Sequence, residues 1–323
     1  MTPVIETRGL VKRYDEQVAV AGIDLVVGPG EIYGLVGPNG AGKTTTMRII
    51  ATLLAPTAGE VLVCGIPVTA NQIEVRRRIG YMPDFYGVYD DLRVWEYLDF
   101  FARCYRVPAN RRVTVISELL EIVGLSDKRE QYVESLSRGM RQRLCLAHTL
   151  VHDPALLILD EPASGLDPRA RVEMREILRE LRAMGKTILV SSHILPELGE
   201  MCTGVGIIDR GRLLRSGPID EIERSLRATA VLRIDLLGGP EAVAAAREWL
   251  GTDPRVGEIL QSTDAAGDAI RLEIPFDGLA DEQAALLRTM IETGHRVSGF
   301  TQATSDLEEI FLKVTGQDQG AAA

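Results

Sequence analysis

The sequence contains no apolar run that approaches the roughly 20 residues needed to cross a bilayer. Its first residues also lack the basic and then apolar pattern of a secretory signal peptide. We therefore expect any role at a membrane to depend on a partner chain.

Cysteine is scarce, and the few cysteines are too far apart to form a CxxC pair or a zinc-binding pattern. They are Cys64, Cys104, Cys145 and Cys202. This spacing argues against a disulfide framework and favours a protein of the reducing cytoplasm.

Positive charge is also in deficit. The chain has 36 Lys and Arg against 46 Asp and Glu, which gives a formal net charge of −10. A broad nucleic-acid surface requires an excess of basic residues, so we expect no nucleic-acid partner. We interpret the short basic runs at 76–78 and 111–112 as solvated helix faces.

A glycine-rich loop with the full phosphate-binding pattern follows a strand-like run at 32–36. Its residues are Gly37, Pro38, Asn39, Gly40, Ala41, Gly42, Lys43, Thr44 and Thr45. Glycines let successive N–H groups turn toward phosphate oxygens. Lys43 would place its charge at the β- and γ-phosphates, and the Thr44 hydroxyl would bind Mg²⁺. The pattern predicts a binding site for Mg-ATP or a related triphosphate.

Two acids follow the apolar strand-like run at 155–159. Asp160 would hold Mg²⁺, and Glu161 would polarise the water that attacks the γ-phosphate. Taken alone, the two acids could equally form a solvated turn after a strand. The phosphate-binding loop elsewhere in the chain favours the catalytic interpretation. His193 follows another apolar strand, at 187–191, and therefore lies where ligands collect in parallel sheets.

The order and spacing of these motifs resemble those of the ABC transporter ATPases over residues 4–220. Residues 135–143 resemble the family's signature motif, and residues 164–167 resemble its D-loop. The resemblance implies an α/β fold, in which a P-loop ABC ATPase domain carries an antiparallel β subdomain and a helical subdomain. Adenine stacking by Tyr14 and a switch role for His193 are implied as well.

The resemblance further implies a head-to-tail homodimer with ATP. The hydroxyl of Ser137, the bare backbone of Gly139 and the D-loop Asp167 would contact the nucleotide held by the opposite protomer. Ser137 is also an N-cap candidate, and a helix N-terminus attracts phosphate. In isolation, such a capped helix start is an ordinary structural feature.

The sequence departs from the family pattern in three places. The signature reads Leu-Ser-Arg-Gly-Met, with Arg138 in place of glycine and Met140 in place of glutamine. Asp84 replaces the Q-loop glutamine, where it could contact the metal, although an unshielded carboxylate would repel the γ-phosphate. Ala163 stands where threonine is usual.

Aromatic residues are rare but concentrated, since nine of the sixteen lie between Tyr81 and Tyr105. Helical spacing assigns Trp95, Leu98, Phe101 and Ala102 to the core of a small helical subdomain. Exposed loop aromatics favour partner binding. We therefore expect Phe85, Tyr86 and Tyr89 to line the groove that receives the integral-membrane permease subunits, which would hold the protein at the inner face of the cell membrane.

The pattern changes after residue 224, and at 323 residues a second domain is expected. Strands at 230–237, 256–261, 269–274 and 295–301, with helices at 241–250 and 281–293, give the order βαββαβ of an α+β ferredoxin-like domain. We place the ATPase domain at 1–224, an accessory or regulatory domain at 225–316 and a disordered tail at 317–323. Ser305 and Glu308 form a capping box for a helix at 305–315.

Two functions are consistent with this set of motifs. One is the ATPase that powers a membrane exporter whose permease is a separate chain. The alternative is a soluble ABC ATPase that acts on ribosomes or other macromolecules. One phosphate-binding loop, one signature and the lack of a heptad array between them favour the exporter. Retention of Lys43, Asp160, Glu161 and His193 disfavours an inactive regulator.

Overall fold

The computed structural model describes residues 2–85, 87–222, 230–263, 270–276, 278 and 280–303. The chain divides into two compact units, Met1–Ile219 and Asp220–Ala323. The boundary expected at 224/225 lies in the stretch 223–229, outside the described residues, so that boundary stays a prediction. The expected capping-box helix and C-terminal tail, and the loop residue Tyr86, also lie outside them.

The first unit is built on two sheets. Its described strands are β1 (Ile5–Tyr14), β2 (Gln17–Val27), β3 (Ile32–Val36), β4 (Ala58–Val63), β5 (Ile66–Pro67), β6 (Ile79–Met82), β7 (Leu156–Leu159), β8 (Thr187–Ser192), β9 (Gly204–Asp209) and β10 (Arg212–Pro218). Its described helices are α1 (Lys43–Ile50), α2 (Gln72–Arg78), α3 (Val94–Cys104), α4 (Ala109–Ile122), α5 (Arg138–Leu150), α6 (Pro168–Ala183) and α7 (Leu195–Gly199). Short 3₁₀ turns occur at Ser126–Lys128 and Val133–Ser135.

The larger sheet has the strand order β10-β9-β3-β8-β7-β6. Strands β9, β3, β8, β7 and β6 are parallel, and β10 pairs antiparallel with β9 at one edge. All residues of β3, β7 and β8 are buried, as expected for parallel strands covered on both faces. The carboxyl ends of β3, β6, β7 and β8 therefore meet at one edge of the sheet.

The smaller sheet is antiparallel, with the strand order β2-β1-β4-β5. Its buried side chains, among them Ile5 and Leu25, join the same hydrophobic cluster as Met47 of α1 and Ile158 of β7. This shared core holds the antiparallel sheet against α1, the helix that follows the phosphate-binding loop.

Helices α3, α4 and α5 pack on one another and form the helical part of the unit. At the start of α3 the Glu96 carboxylate accepts a hydrogen bond from the Arg93 N–H at 2.8 Å. Leu98 and Ala102 are buried, as their spacing predicts, and Tyr97 is fully buried as well. Trp95 and Phe101, expected in the same core, are only partly buried. The first unit thus has the parallel sheet, antiparallel β subdomain and helical subdomain expected from the sequence.

The second unit has the described elements β11 (Ala230–Leu236), α8 (Pro240–Leu250), β12 (Leu260–Thr263), β13 (Ile270–Phe276), α9 (Ala280–Glu292) and β14 (Val297–Ala303). The sheet order is β12-β13-β11-β14, and all neighbours are antiparallel. This is the βαββαβ order expected from the sequence. The second strand begins at Leu260 rather than near 256, since Val256 makes only an isolated bridge with Phe276.

One face of this second sheet is apolar and buried. Leu232 and Ile234 of β11 and Leu272 and Ile274 of β13 pack with Met290 of α9 in a cluster of their own. The intervening positions of these strands are only partly buried, which is the period-2 alternation of a sheet covered on one face.

Candidate nucleotide-binding site

The phosphate-binding loop leaves β3 at its carboxyl end and turns sharply into α1. Gly42 has φ +107°, and a Cβ atom there would lie 2.6 Å from the carbonyl oxygen of Ala19. A Cβ atom at Gly37 would lie 2.3 Å from the carbonyl oxygen of Ile208. Both glycines are therefore required by packing, and Gly42 also by its left-handed backbone.

Lys43 is nearly buried at the start of α1. Its Nζ donates hydrogen bonds to the carbonyl oxygens of Gly37 (2.6 Å) and Pro38 (3.3 Å) and lies 3.5 Å from Oε1 of Glu161. Gly42 provides no side-chain cap for α1. Since the first N–H groups of a helix lack acceptors within the helix, this end favours an anion beside a fixed ammonium group.

The acidic edge is organised by a serine. Ser191, near the end of β8, donates to Oδ1 of Asp160 at 2.7 Å and accepts from the N–H of Glu161 at 2.9 Å. Glu161 has φ +52°, a left-handed conformation that costs on the order of 1 kcal/mol or more for a non-glycine residue. These contacts fix the two carboxylates immediately after β7.

His193 lies beside Glu161, as its position after β8 predicts. Its Nδ1 is 2.9 Å from Oε2 of Glu161. When Nδ1 carries the proton and donates to the carboxylate, Nε2 is left as an acceptor. Glu161 therefore lies between the ammonium of Lys43 on one oxygen and the imidazole of His193 on the other.

These groups surround an open cavity of about 490 Å³. Its lining residues are Gln17, Val18, Ala19, Pro38, Asn39, Gly40, Ala41, Gly42, Lys43, Thr44, Thr45, Asp84, Glu161, Ser164, His193 and Arg210. The structure thus brings the phosphate-binding loop, Asp84, Glu161 and His193 to one place. Asp160 lies buried behind it.

Tyr14 is not among the residues that line this cavity. It ends β1 and is half exposed, and Lys12 Nζ lies 5.1 Å from its ring centroid. Gln17, which follows the turn, does reach the cavity. Adenine stacking by Tyr14 stays a prediction.

The signature residues lie away from this cavity within the chain. Ser137 caps α5 by accepting a hydrogen bond from the Met140 N–H at 3.3 Å. Asp167 caps α6 in the same way through the Ala170 N–H at 2.9 Å, and a Cβ atom on Gly139 would lie 3.0 Å from the Cβ of Ala170. None of the three lines this cavity, and their contact with ATP stays a prediction.

Asp84 is an exposed carboxylate with acidic neighbours. Its pKa is raised by partial burial and by the charges of Asp160 and Glu161, while Arg138 and His193 act in the opposite direction. Asp84 therefore experiences like-charge repulsion from Asp160 and Glu161, and the repulsion of the γ-phosphate expected from the sequence stays a prediction.

The residues predicted to hold Mg²⁺ have suitable chemistry. Oδ2 of Asp160 is buried and has no hydrogen-bond partner within the described part of the chain. Thr44 lies in the first turn of α1 and lines the cavity. A carboxylate and a hydroxyl oxygen are the hard ligands that Mg²⁺ prefers, so these residues fit the ion.

Several residues of the site were missed by sequence reasoning. Ser191 links Asp160 to Glu161, and Gln142 donates its Nε2 hydrogen to the carbonyl oxygen of Pro162 at 2.7 Å. Gln17 and Arg210 reach the cavity from distant parts of the chain. The polar pair at 191–192 ending an apolar strand was the one available signal for Ser191, and the other contacts arise from tertiary packing.

Of the expected docking aromatics, Tyr89 lines a surface groove, whereas Phe85 lines a separate cavity with Asp84 and Arg138. Phe85 is 95% exposed and Tyr89 is 54% exposed. Tyr89 packs edge-on against Phe100, with ring centroids 5.4 Å apart, at a groove of about 610 Å³. Val88, Tyr89, Asp90, Asp91, Leu92 and Phe100 line this groove.

The fold and site define a P-loop nucleotide triphosphatase, because a phosphate-binding loop, two carboxylates and a histidine meet at the carboxyl edge of a parallel sheet. Residues 20–164 match the family model described as ABC transporter. The chain belongs to the ABC transporter ATP-binding family, whose members are ATPases coupled to transport.

Relatives match over nearly the whole chain. The chain is 36% identical over 314 residues to the Nod factor export ATP-binding protein I of Burkholderia orbicola, which covers 97% of both chains. It is 35% identical over 322 residues to the protein of the same name from Ralstonia nicotianae, covering 98% of this chain and 95% of the relative.

Solved structures match about seven tenths of the chain. One, the ATP binding subunit of an ABC transporter, has a TM-score of 0.62 at 31% identity and covers 69% of this chain and 92% of that chain. A second, from Clostridium perfringens, is part of the ABC transporter complex cbiONQ and has a TM-score of 0.63 at 25% identity, covering 70% and 95%. Among the described residues, no helix is both long and apolar enough to span a membrane.

Proposed function

We propose that this chain binds and hydrolyses ATP to power a membrane exporter whose permease is a separate chain. The convergence of Lys43, Glu161 and His193 on the nucleotide cavity carries the catalytic part of the proposal. The export part is supported by relatives that share the full chain length and are named for export.

In the proposed mechanism, Glu161 is the general base that accepts a proton from the attacking water. His193 orients Glu161 through its Nδ1 contact. With both ring nitrogens protonated, Nε2–H would also donate a hydrogen bond to the γ-phosphate. Lys43, which now bonds the loop carbonyls, transfers its hydrogen bonds to the β- and γ-phosphates when ATP enters. Thr44 and Asp160, assisted by Asp84, would hold Mg²⁺, and the bound ion would supply positive charge to the phosphates.

Turnover is proposed to require two copies of the chain in a head-to-tail dimer. Ser137, Gly139 and Asp167 lie outside the cavity of their own chain, and the N-terminus of α5 is suited to binding phosphate. In the dimer these residues contact the nucleotide of the other copy. ATP binding would close the dimer, and hydrolysis would open it.

The groove lined by Tyr89 and Phe100 is the proposed docking site for the permease, with Phe85 and Tyr86 of the preceding loop as further proposed contacts. Exposed aromatic side chains at a groove suit burial against a protein partner. Docking would place the chain at the inner face of the cell membrane. Cargo selectivity then belongs to the permease, so the Nod factor of the relatives' names is not assigned to this chain.

The test is copurification of tagged E161Q from native membranes in the presence of Mg-ATP. A multi-span membrane protein should be recovered with E161Q, and Y89A in the same background should lose it because the groove loses an exposed ring. V113A removes an exposed side chain from α4 and serves as the matched control, with recovery unchanged.

Recovery of ribosomes or of soluble proteins alone would favour the alternative, a soluble ABC ATPase, over the exporter. Equal recovery of the membrane protein with Y89A and V113A would contradict the docking site but leave the exporter function standing.

A further inference from the structure

Arg138, the first residue of α5, reaches across to the segment that follows Glu161. Its Nη2 donates a hydrogen bond to the carbonyl oxygen of Ser164 at 3.1 Å. Its guanidinium covers Gly165 so closely that a Cβ atom there would lie 2.2 Å from Nη2. The position of the guanidinium is therefore set by the backbone of residues 164–165.

That segment is itself held in place. Gln142, one turn further along α5, is buried and donates to the carbonyl oxygen of Pro162 at 2.7 Å. The N–H of Ser164 donates to the carbonyl oxygen of Glu161 at 3.0 Å. Because α5 binds the segment at two points, the charge of Arg138 has a fixed location relative to Glu161.

The fixed charge of Arg138 faces the acids of the site. Arg138, Asp84 and Ser164 line one cavity of about 480 Å³. Asp84 is near Asp160 and Glu161 and receives compensating positive charge from Arg138 of α5 and from His193 when that ring is protonated. Tyr81 of β6 is another titratable group that interacts electrostatically with Asp84, and it also experiences the charges of Asp160 and Arg48.

We propose that Arg138 is a positioning residue that offsets the negative charge of Asp84 beside the catalytic carboxylates. The two departures from the family pattern, arginine for glycine and aspartate for glutamine, then form one compensated pair. A carboxylate can occupy the place of Asp84 because a guanidinium anchored on Ser164 lies across the cavity from it. This inference rests on the proposed roles of Asp160 and Glu161.

The test is a double-mutant cycle on the full chain with R138Q and D84N, reading kcat and the apparent KM for Mg-ATP. R138Q should lower kcat about tenfold, because Asp84 is left unshielded, whereas R138Q in the D84N background should lower it less than about twofold. R138K, which keeps the charge, should retain most of the activity. Thermal melting of each variant checks that it folds.

Arg141 provides the matched control, since it lines the same cavity but its guanidinium donates to the carbonyl oxygen of Glu134 instead. R141Q should change kcat by the same small factor whether position 84 is aspartate, as in wild type, or asparagine, as in D84N.

Equal losses from R138Q in both backgrounds, or full activity of R138Q, would overturn the charge pairing while leaving the ATPase function intact. A wild-type chain that fails to hydrolyse ATP even with its permease would overturn both proposals.

Discussion

At the scale of single residues, the site depends on backbone positions that only certain side chains tolerate. Gly42 combines φ +107° with close approach to the carbonyl of Ala19. Glu161 accepts a left-handed backbone although it carries a side chain, and Ser191 stabilises it through the Glu161 N–H. The loop and the proposed general base Glu161 are thus fixed before any ligand binds, which would reduce the reorganisation needed for catalysis.

We expect G42A to abolish Mg-ATP binding and to destabilise the protein more than G22A does. Both glycines have a positive φ, which costs about 1–2 kcal/mol for alanine. Only Gly42 also lacks space for a Cβ atom, because the Ala19 carbonyl is 2.6 Å away, whereas Gly22 faces open space. Urea unfolding and isothermal titration with Mg-ATP measure the two effects.

For this pair of variants, G22A should bind Mg-ATP like wild type. Unimpaired binding by G42A, or equal destabilisation by both substitutions, would show that the contact with Ala19 does not shape the loop.

At the scale of elements, α3 and α5 are joined by a ladder of stacked rings. Phe101 stacks on His148 with centroids 4.3 Å apart, and Tyr105 stacks on His152 at 3.9 Å. Both pairs repeat at i, i+4, so the two helices meet along one face. The stacked rings lie at the carboxyl-terminal ends of α3 and α5 and hold these ends of the two helices together.

Burial lowers the pKa of His148 to about 4 from an ordinary value of 6.5. The unfolded chain therefore takes up this proton as the pH falls below about 6.5, while the folded chain does not until about 4. Stability is highest above the unfolded pKa and is lost across that window. H148F should remove this loss of stability, which amounts to about 2 kcal/mol at pH 4.5.

Urea unfolding of wild type and H148F at pH 7.5 and 4.5 measures this contribution. Wild type should lose about 2 kcal/mol more than H148F over that range. His152, whose pKa is also lowered by burial, contributes in both proteins and cancels from the comparison. Identical losses would contradict the burial of a neutral His148.

At the scale of the whole molecule, the first unit keeps the phosphate-binding loop apart from the helix end that we propose as a second phosphate site. The loop at 37–45 and the acids lie at one cavity, and the signature N-terminus of α5 lies outside it. The proposed dimer would bring the two sets together around each nucleotide. The accessory unit, with its own core, is compatible with a regulatory or dimer-stabilising role.

We expect E161Q to bind Mg-ATP, to lose at least about 100-fold in kcat and to form a stable dimer, because the general base is removed while charge complementarity to ATP is kept. Size-exclusion chromatography with light scattering measures the mass. E180Q alters an exposed acid on α6 and should behave like wild type.

Adding K43A to E161Q should return the mass to that of one chain, since the phosphates lose their ammonium partner. A monomeric E161Q saturated with Mg-ATP, or one that releases phosphate at the normal rate, would refute the assigned role of Glu161.

The sequence by itself determined the catalytic groups whose position is local. An apolar strand precedes each of the three segments, which are residues 37–45, Asp160 and His193. Because parallel strands align their carboxyl ends, the apolar pattern and the order of these segments were enough to place them together. The order of strands and helices in the second unit could also be predicted from the sequence, because apolar residues repeat with a period of 2 in strands and 3.6 in helices.

Tertiary structure alone decided the contacts between segments far apart in the chain. It placed Ser191 between Asp160 and Glu161, seated Arg138 on Ser164, buried Tyr97 beside His148 and kept Tyr14 off the cavity wall. No local pattern encodes such pairs, because each depends on which side chain the packing of two helices or strands brings within hydrogen-bond distance. The sequence therefore named the chemistry of the site, and packing decided which residues hold that chemistry in place.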